Sequence, residues 1–250
     1  MFRVFILSLF PDESQHYFLK GIFKRALDQG TFSISFRDIR DYAQNRHRKV
    51  DDYPYGDRDG MLMRVDVLSR ALADIPDISS YELIYTCPKG PVMTQSRARQ
   101  LSKSAGMVII PGYYKGIDER LFTLWPIQRI SMGNFVLSSG EVPAFAIAES
   151  VIRLLPGVIG NPDSMGDDTL FNGYVSCPQY TVPQTYQGVQ VPEVVVSGDH
   201  QRRQEWTRQM MLRQTLFEKP HLLAGATLSE KDQHRMKALI LSDPTELPKP

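Results

Sequence analysis

Residues 106–111, GMVIIP, are apolar at every position and do not alternate between two faces. A strand with one wet face alternates, whereas one that is apolar throughout is covered on both sides, as in a parallel sheet packed between helices. FRVFILSL at 2–9 and ELIYT at 82–86 read the same way, and FSISF at 32–36 alternates as a strand. Between these runs, apolar residues recur every three or four positions. Asp12 caps an expected helix carrying Phe18, Leu19, Ile22 and Ala26, with Gly30 closing it. Further helices are expected through Val65, Leu68, Ala71 and Leu72, over 94–104, over 117–124 and over 141–155, with another strand at 127–131. Strands that alternate with helices predict an α/β fold around a mostly parallel sheet.

The composition changes after Pro156, where Gly, Pro, Asp and Asn replace helical periodicity, and two amphipathic segments follow Asp199, around Met210 and Leu212 and around Met236 and Leu239. This predicts an α/β domain over 1–160, a connector over 161–198 and a small helical C-terminal domain over 199–250. The 250 residues are 42% hydrophobic with a formal net charge of +1, so no global field draws in nucleic acid or an anionic membrane, and such affinity has to come from local patches. Cys87 and Cys177 show no CxxC spacing, so neither a metal site nor a disulfide framework is expected, and a reducing cytoplasm fits. The apolar run at 2–9 is too short for a membrane span.

In an open parallel sheet, ligands bind outside the carboxyl ends of the strands. Three glycine-bearing loops are expected there: YTCPKGP from 85, PGYYKG from 111 and SMGNFVLSSGEVP from 131. Small residues allow close backbone approach to a flat ligand, and the absence of GxGxxG and Walker patterns disfavours a dinucleotide or a triphosphate.

The segments SLFP (8–11), RHRKVDDYPYG (46–56), GMLM (60–63), GIDER (116–120), LSSGEVPA (137–144), LLPGVIG (154–160), CPQYT (177–181) and VPEVVVSGDH (191–200) occur in this order along nearly the whole chain. In this the chain resembles the bacterial tRNA (guanine-37-N1)-methyltransferases of the SPOUT class. The resemblance implies a deep trefoil knot in the sheet and an S-adenosylmethionine pocket built from the three loops. The residues matching that pocket are Tyr85, Thr86, Cys87 and Pro88, then Gly112, Tyr114 and Gly116, then Met132, Gly133, Phe135, Leu137, Gly140 and Pro143. It also implies a homodimer in which the connector of one subunit completes the site of the other, and a tRNA substrate engaged at the anticodon loop.

Methylation at N1 of guanine needs a general base, because that nitrogen carries a proton at neutral pH, and a cation near O6 would stabilise the charge that develops. By the resemblance, Asp168 is the base and Arg153 the cation. The bland alternatives are a solvated loop carboxylate for Asp168, with Asp167 as a rival, and an i,i+4 helix pair with Glu149 for Arg153. Arg37, Arg40, Arg46, Arg48 and Lys49 form one candidate phosphate-facing cluster, and Arg202, Arg203, Arg208 and Arg213 another.

The chain departs from the related pattern at the pocket. GYYKG stands for GRYEG, putting Tyr113 and Lys115 in place of an arginine and a glutamate; GNF stands for GDY, SGE for GGE, and Asp57, Arg58 and Asp59 replace an uncharged glycine-rich turn. Because these changes cluster where cofactor and substrate meet, two alternatives stay open: a SPOUT methyltransferase acting on another RNA site, and a non-catalytic RNA-binding descendant.

Overall fold

A computed structural model of the chain describes residues 1–56, 59–159, 169–224, 226 and 228–241, with the side chain of Glu13 excepted. Asp57, Arg58, Asp167 and Asp168 lie outside the described residues. The chain divides into two compact units, Met1–Gly160 and Asn161–Pro250.

The first unit is built on five parallel strands, β1 (Phe2–Ser8), β2 (Phe32–Asp38), β5 (Glu82–Thr86), β6 (Gly106–Ile110) and β7 (Gln128–Ile130), in the order β2-β1-β6-β5-β7. β3 (Asp51–Asp52) and β4 (Leu62–Met63) form a small antiparallel pair. The apolar run at 106–111 supplies the central strand: β6 is buried at all five positions and pairs with β1 on one side and β5 on the other.

Alternate residues of each strand feed two cores. Phe2, Val4 and Ile6 of β1, Ile84 of β5 and Met107 and Ile109 of β6 pack with α2 (Gly21–Asp28), α4 (Gln95–Leu101) and α6 (Glu141–Ile152). Leu7, Leu83, Tyr85, Val108 and Ile110 pack with α3 (Val65–Ala73) and α5 (Arg120–Leu124). Each fully buried aliphatic side chain contributes about 1.5–3 kcal/mol relative to exposure, so both faces of the sheet are apolar and helices cover each.

One expected helix is divided. Between strands β1 and β2 the chain forms α1 (Pro11–Gln15), a 3-10 turn over His16–Phe18, and then α2. Lys20 is extended and Gly21 takes φ +57°, which ends one helix and restarts another. Phe18 and Ala26 are buried, but Leu19 and Ile22 are exposed, so the apparent helical stripe through all four is coincidental. Gly30, at φ +68°, does close α2.

In the second unit, α8 (His200–Glu218) and α9 (Glu230–Leu241) pack through Leu212, Met236 and Leu239. Asp199 caps α8 by accepting a hydrogen bond from the Arg202 amide at 2.9 Å. Upstream lie a two-residue hairpin, β8 (Thr185–Tyr186) with β9 (Val189–Gln190), and the short α7 (Glu193–Val196). Trp206 is half-buried against Tyr180, their ring centroids 6.5 Å apart.

Candidate functional site

Parallel pairing puts the carboxyl ends of β1, β5, β6 and β7 on one edge, and the loops leaving β5, β6 and β7 line a cleft of about 920 Å³. Thr86 stands where the first two loops meet the third. Its hydroxyl accepts from the Gly112 amide at 3.0 Å and donates to the Gly140 carbonyl at 3.2 Å. The amide of Gly140 donates in turn to the carbonyl of Gly112 at 2.6 Å. This approach requires glycine: a Cβ at Gly140 would lie 2.1 Å from the Gly112 nitrogen and 2.2 Å from the Thr86 hydroxyl, far inside contact distance.

The loop after β6 is held from its far side as well. Lys115 N–H donates to the Met61 carbonyl, Met63 N–H to that of Gly116, and Asp118 N–H to that of Met63. Tyr114 is held between these contacts at φ +56°, a conformation that costs a non-glycine residue energy and tends to mark functional loops. The loop after β7 is tied to the one after β5, because Ser131 N–H donates to the Pro91 carbonyl and Met93 N–H to that of Ser131.

All thirteen residues matched to the pocket line this one cleft: Tyr85, Thr86, Cys87, Pro88, Gly112, Tyr114, Gly116, Met132, Gly133, Phe135, Leu137, Gly140 and Pro143. Tyr85 is buried with its ring edge-on to Phe122 at 5.8 Å, and loss of solvation raises its phenol well above the usual range, so it is a neutral wall at any working pH. Phe135, Val136 and Leu137 leave apolar surface exposed beside the cleft. Cys87 and Cys177 are both free thiols.

Several lining residues were not anticipated from the sequence. The Arg129 guanidinium lies 3.6 Å from the centre of the Phe122 ring and pairs with Glu119, so three side chains from the helix α5 region and β7 close one wall. Asp118 is held below its usual range by hydrogen bonds from Arg120. The position of Arg129 in a short strand after an apolar helix gave no sign of this.

Arg153 does not line the cleft. It caps the C-terminal end of α6, its amide bonded to the Glu149 carbonyl, whereas the other end of that helix begins at the cleft with Gly140 and Glu141. Twelve helical residues rise about 18 Å, which separates the two ends within one chain. The Glu149 carboxylate accepts from the Tyr17 hydroxyl at 2.6 Å.

Much of the basic charge singled out in the sequence is paired: Arg37 with Asp74, Arg48 with Asp41, Lys49 with Asp52 and Arg208 with Asp232. Among the described residues, no helix is long and apolar enough to cross a membrane, and no three His, Cys, Asp or Glu side chains cluster as metal ligands.

The profile of the family described as tRNA (Guanine-1)-methyltransferase TrmD matches residues 2–225. The chain is 37% identical over 240 residues to a tRNA (guanine-N(1)-)-methyltransferase of Moorella thermoacetica, an alignment covering 95% of this chain and 96% of that one. It is 38% identical over 236 residues to the protein of that name from Geobacillus kaustophilus, covering 94% and 97%. With Staphylococcus epidermidis the identity is 38% over 231 residues, covering 92% and 94%. With these matches spanning nearly its full length and a cleft assembled where the motif-bearing loops meet, the chain belongs to the tRNA (guanine-1)-methyltransferase family.

Proposed function

We propose that this protein transfers the methyl group of S-adenosylmethionine to N1 of guanine 37 in tRNA, binding the cofactor in the cleft formed by the loops after β5, β6 and β7. The observation that carries this reading is the convergence of thirteen motif-matched residues, from three separate loops, on one cleft. The fit is physical as well as positional. The volume lies in the range of small-molecule sites, and aromatic and aliphatic side chains line much of it beside the charged Lys115, Glu119 and Arg129. The glycine contacts at 112 and 140 bring backbone rather than side chains to the floor, as recognition of a purine edge requires.

The cofactor supplies a methyl group on a positively charged sulfur, already activated for attack. The chain's own part is to deprotonate, orient and exclude water. In this reading Asp168 takes the proton from guanine N1, and Arg153 faces the negative charge that grows on O6. The buried Tyr85 and Ile130 in the lining would limit water around a bound cofactor. Asp168 belongs to the segment we assign as a connector over 161–198, between the α/β domain of 1–160 and a helical domain of 199–250.

The three loops are proposed to be those of a deep trefoil knot, a reading supported by their mutual hydrogen bonds through Thr86, Gly112 and Gly140. We take the assembly to be a homodimer, as the family resemblance implies. Arg153 lies about a helix length from the cleft of its own chain, which fits a role for it in the site of a second copy. The substrate is a tRNA engaged at its anticodon loop, where an unstacked guanine can be splayed out, and a cytoplasmic location fits that substrate.

The test is incubation of the purified protein with an unmodified tRNA transcript and labelled S-adenosylmethionine, followed by mass spectrometry of the nucleosides. 1-Methylguanosine at position 37 is expected. A modification at another position, or none at saturating cofactor, would overturn the assignment.

A further inference from the structure

Glu141, the first residue of α6, is a buried carboxylate, 7% exposed, at the edge of the cleft floor. Such a group persists only if donors replace its water shell, and here three hydroxyls do so. Ser8, at the end of β1, donates to Oε1 at 2.7 Å. Ser14, in α1, donates to Oε2 at 3.3 Å. The Tyr113 hydroxyl donates to Oε1.

The direction of two of these bonds is fixed by backbone. The Tyr113 oxygen already accepts from the Leu9 amide at 3.1 Å, and the Ser8 oxygen from the Phe10 amide at 2.7 Å, so both protons face the carboxylate. The α6 N-terminus adds partial positive charge on the same side. The phenol, held between burial and the carboxylate, is raised well beyond its usual range and stays a donor.

We infer that the Tyr113–Glu141 contact is a clasp that sets the cleft floor, making Tyr113 a positioning residue for cofactor binding. The placement carries the inference. Gly112 and Gly140 meet backbone to backbone at the floor, and Tyr113 and Glu141 are their immediate chain neighbours, joined side chain to side chain. The clasp therefore reinforces the backbone contact between these two loops at the cleft floor, and ties both to the end of β1 through Ser8 and Leu9. Tyr113 contributes its ring to the lining, but its hydroxyl is taken up by Glu141 and Leu9. Arg40, stacked on Phe10 at 5.8 Å, and the Phe10 ring, 6.2 Å from that of Tyr113, brace the same corner. Stated for S-adenosylmethionine, the clasp rests on the function proposed above; as a determinant of loop order it does not.

The experiment compares the intact protein with Tyr113→Phe and Tyr113→Arg by calorimetric titration with S-adenosylmethionine and by amide hydrogen exchange without ligand. Phenylalanine keeps the ring and deletes the donor to a buried charge, and a rise in Kd of about tenfold is expected. Arginine restores a donor as an ion pair and should return Kd to within about threefold of the unaltered chain. Exchange of the 112–117 amides should accelerate in the phenylalanine variant only. An unchanged Kd together with unchanged exchange in Tyr113→Phe would overturn the clasp, as would arginine failing to restore binding. If the phenylalanine variant does not fold, the arginine variant decides: near-normal Kd supports the clasp and a loss beyond about tenfold removes it. If the unaltered protein itself binds no S-adenosylmethionine, the proposed function falls, and the exchange measurement alone decides the clasp.

Discussion

The Gly140 amide donates to the Gly112 carbonyl at 2.6 Å, while the Thr86 hydroxyl bridges the same two residues by accepting from Gly112 N–H and donating to the Gly140 carbonyl. Two loops separated by a strand and a helix in sequence are thus joined with no room for a side chain between them. A methyl at position 140 would fall on the Gly112 nitrogen and the Thr86 hydroxyl. Gly140→Ala is expected to cost about 1–3 kcal/mol of stability through overpacking, and to weaken S-adenosylmethionine binding more than Thr86→Val, which keeps the shape and removes the bridging hydroxyl. Thermal unfolding and calorimetry on both variants check the order; equal affinity in Gly140→Ala and the unaltered chain would show that the floor is not where the ligand rests.

The sheet was legible because its central strand has no polar face: five consecutive apolar residues in GMVII leave a two-sided cover as the stable solution. The break at Lys20–Gly21 was not, because Phe18 and Ala26 are both buried and their spacing fits one helix, although a left-handed glycine lies between them. At the cleft, the loop glycines announced close backbone approach. The hydroxyl cage around Glu141 did not announce itself, since Ser8 lies 133 positions away from it in the chain and only the parallel sheet brings them together. Arg129 was missed for the same reason: its partner Phe122 is defined by packing, not by a motif.

Lys115 stands where the related pattern has a glutamate, and it lies in the wall of the cleft. Its methylenes run along Gly60, close enough that a Cβ there would press on them, and the residue is exposed. A charge in that setting is screened by water and salt, so its repulsion of a sulfonium is small. Lys115→Met is expected to tighten S-adenosylmethionine binding by no more than about threefold at low ionic strength, and by less at physiological salt. Calorimetric titrations at two salt concentrations measure this. A tenfold or greater gain would place the ammonium against the bound ligand.

Asp232 is the electrostatic hub of the second unit. It accepts from Arg208 at 2.9 Å, Arg235 at 2.9 Å and Ser229 at 2.9 Å, and the Arg208 guanidinium, with help from the other two, holds its carboxyl at about 2. A folded value below that of the unfolded chain stabilises the fold above the unfolded value of about 4, and the contribution disappears as pH falls from there toward 2. The shift corresponds to about 2 kcal/mol at neutral pH. Asp232→Asn should therefore accelerate hydrogen exchange in α8 and α9 at pH 7, and the gap from the unaltered chain should close progressively below pH 4. A gap that stays constant across that range would assign the loss to packing instead.

In the function proposed above, Asp168 and the cleft make separable demands on the chain, and this allows the catalytic assignment and the dimer to be tested together. An asparagine at 168 keeps size and polarity but cannot take up a proton, so Asp168→Asn is expected to lower kcat by about 10²–10⁴-fold while leaving S-adenosylmethionine affinity unchanged. Gly140→Ala has the opposite defect, an intact base with an impaired cleft. If each site takes its base from the second copy, a mixed dimer of the two variants holds one site with a sound cleft and a sound aspartate, and co-refolding the two impaired proteins raises methyl transfer above that of either alone. If cleft and base come from the same chain, every site in the mixture is defective, and activity stays at the level of the separate variants. Methylation of a tRNA transcript by the co-refolded mixture reads the difference directly, because recovery requires Asp168 to act across the interface, while the fall in kcat at unchanged cofactor affinity reports its part in the chemical step.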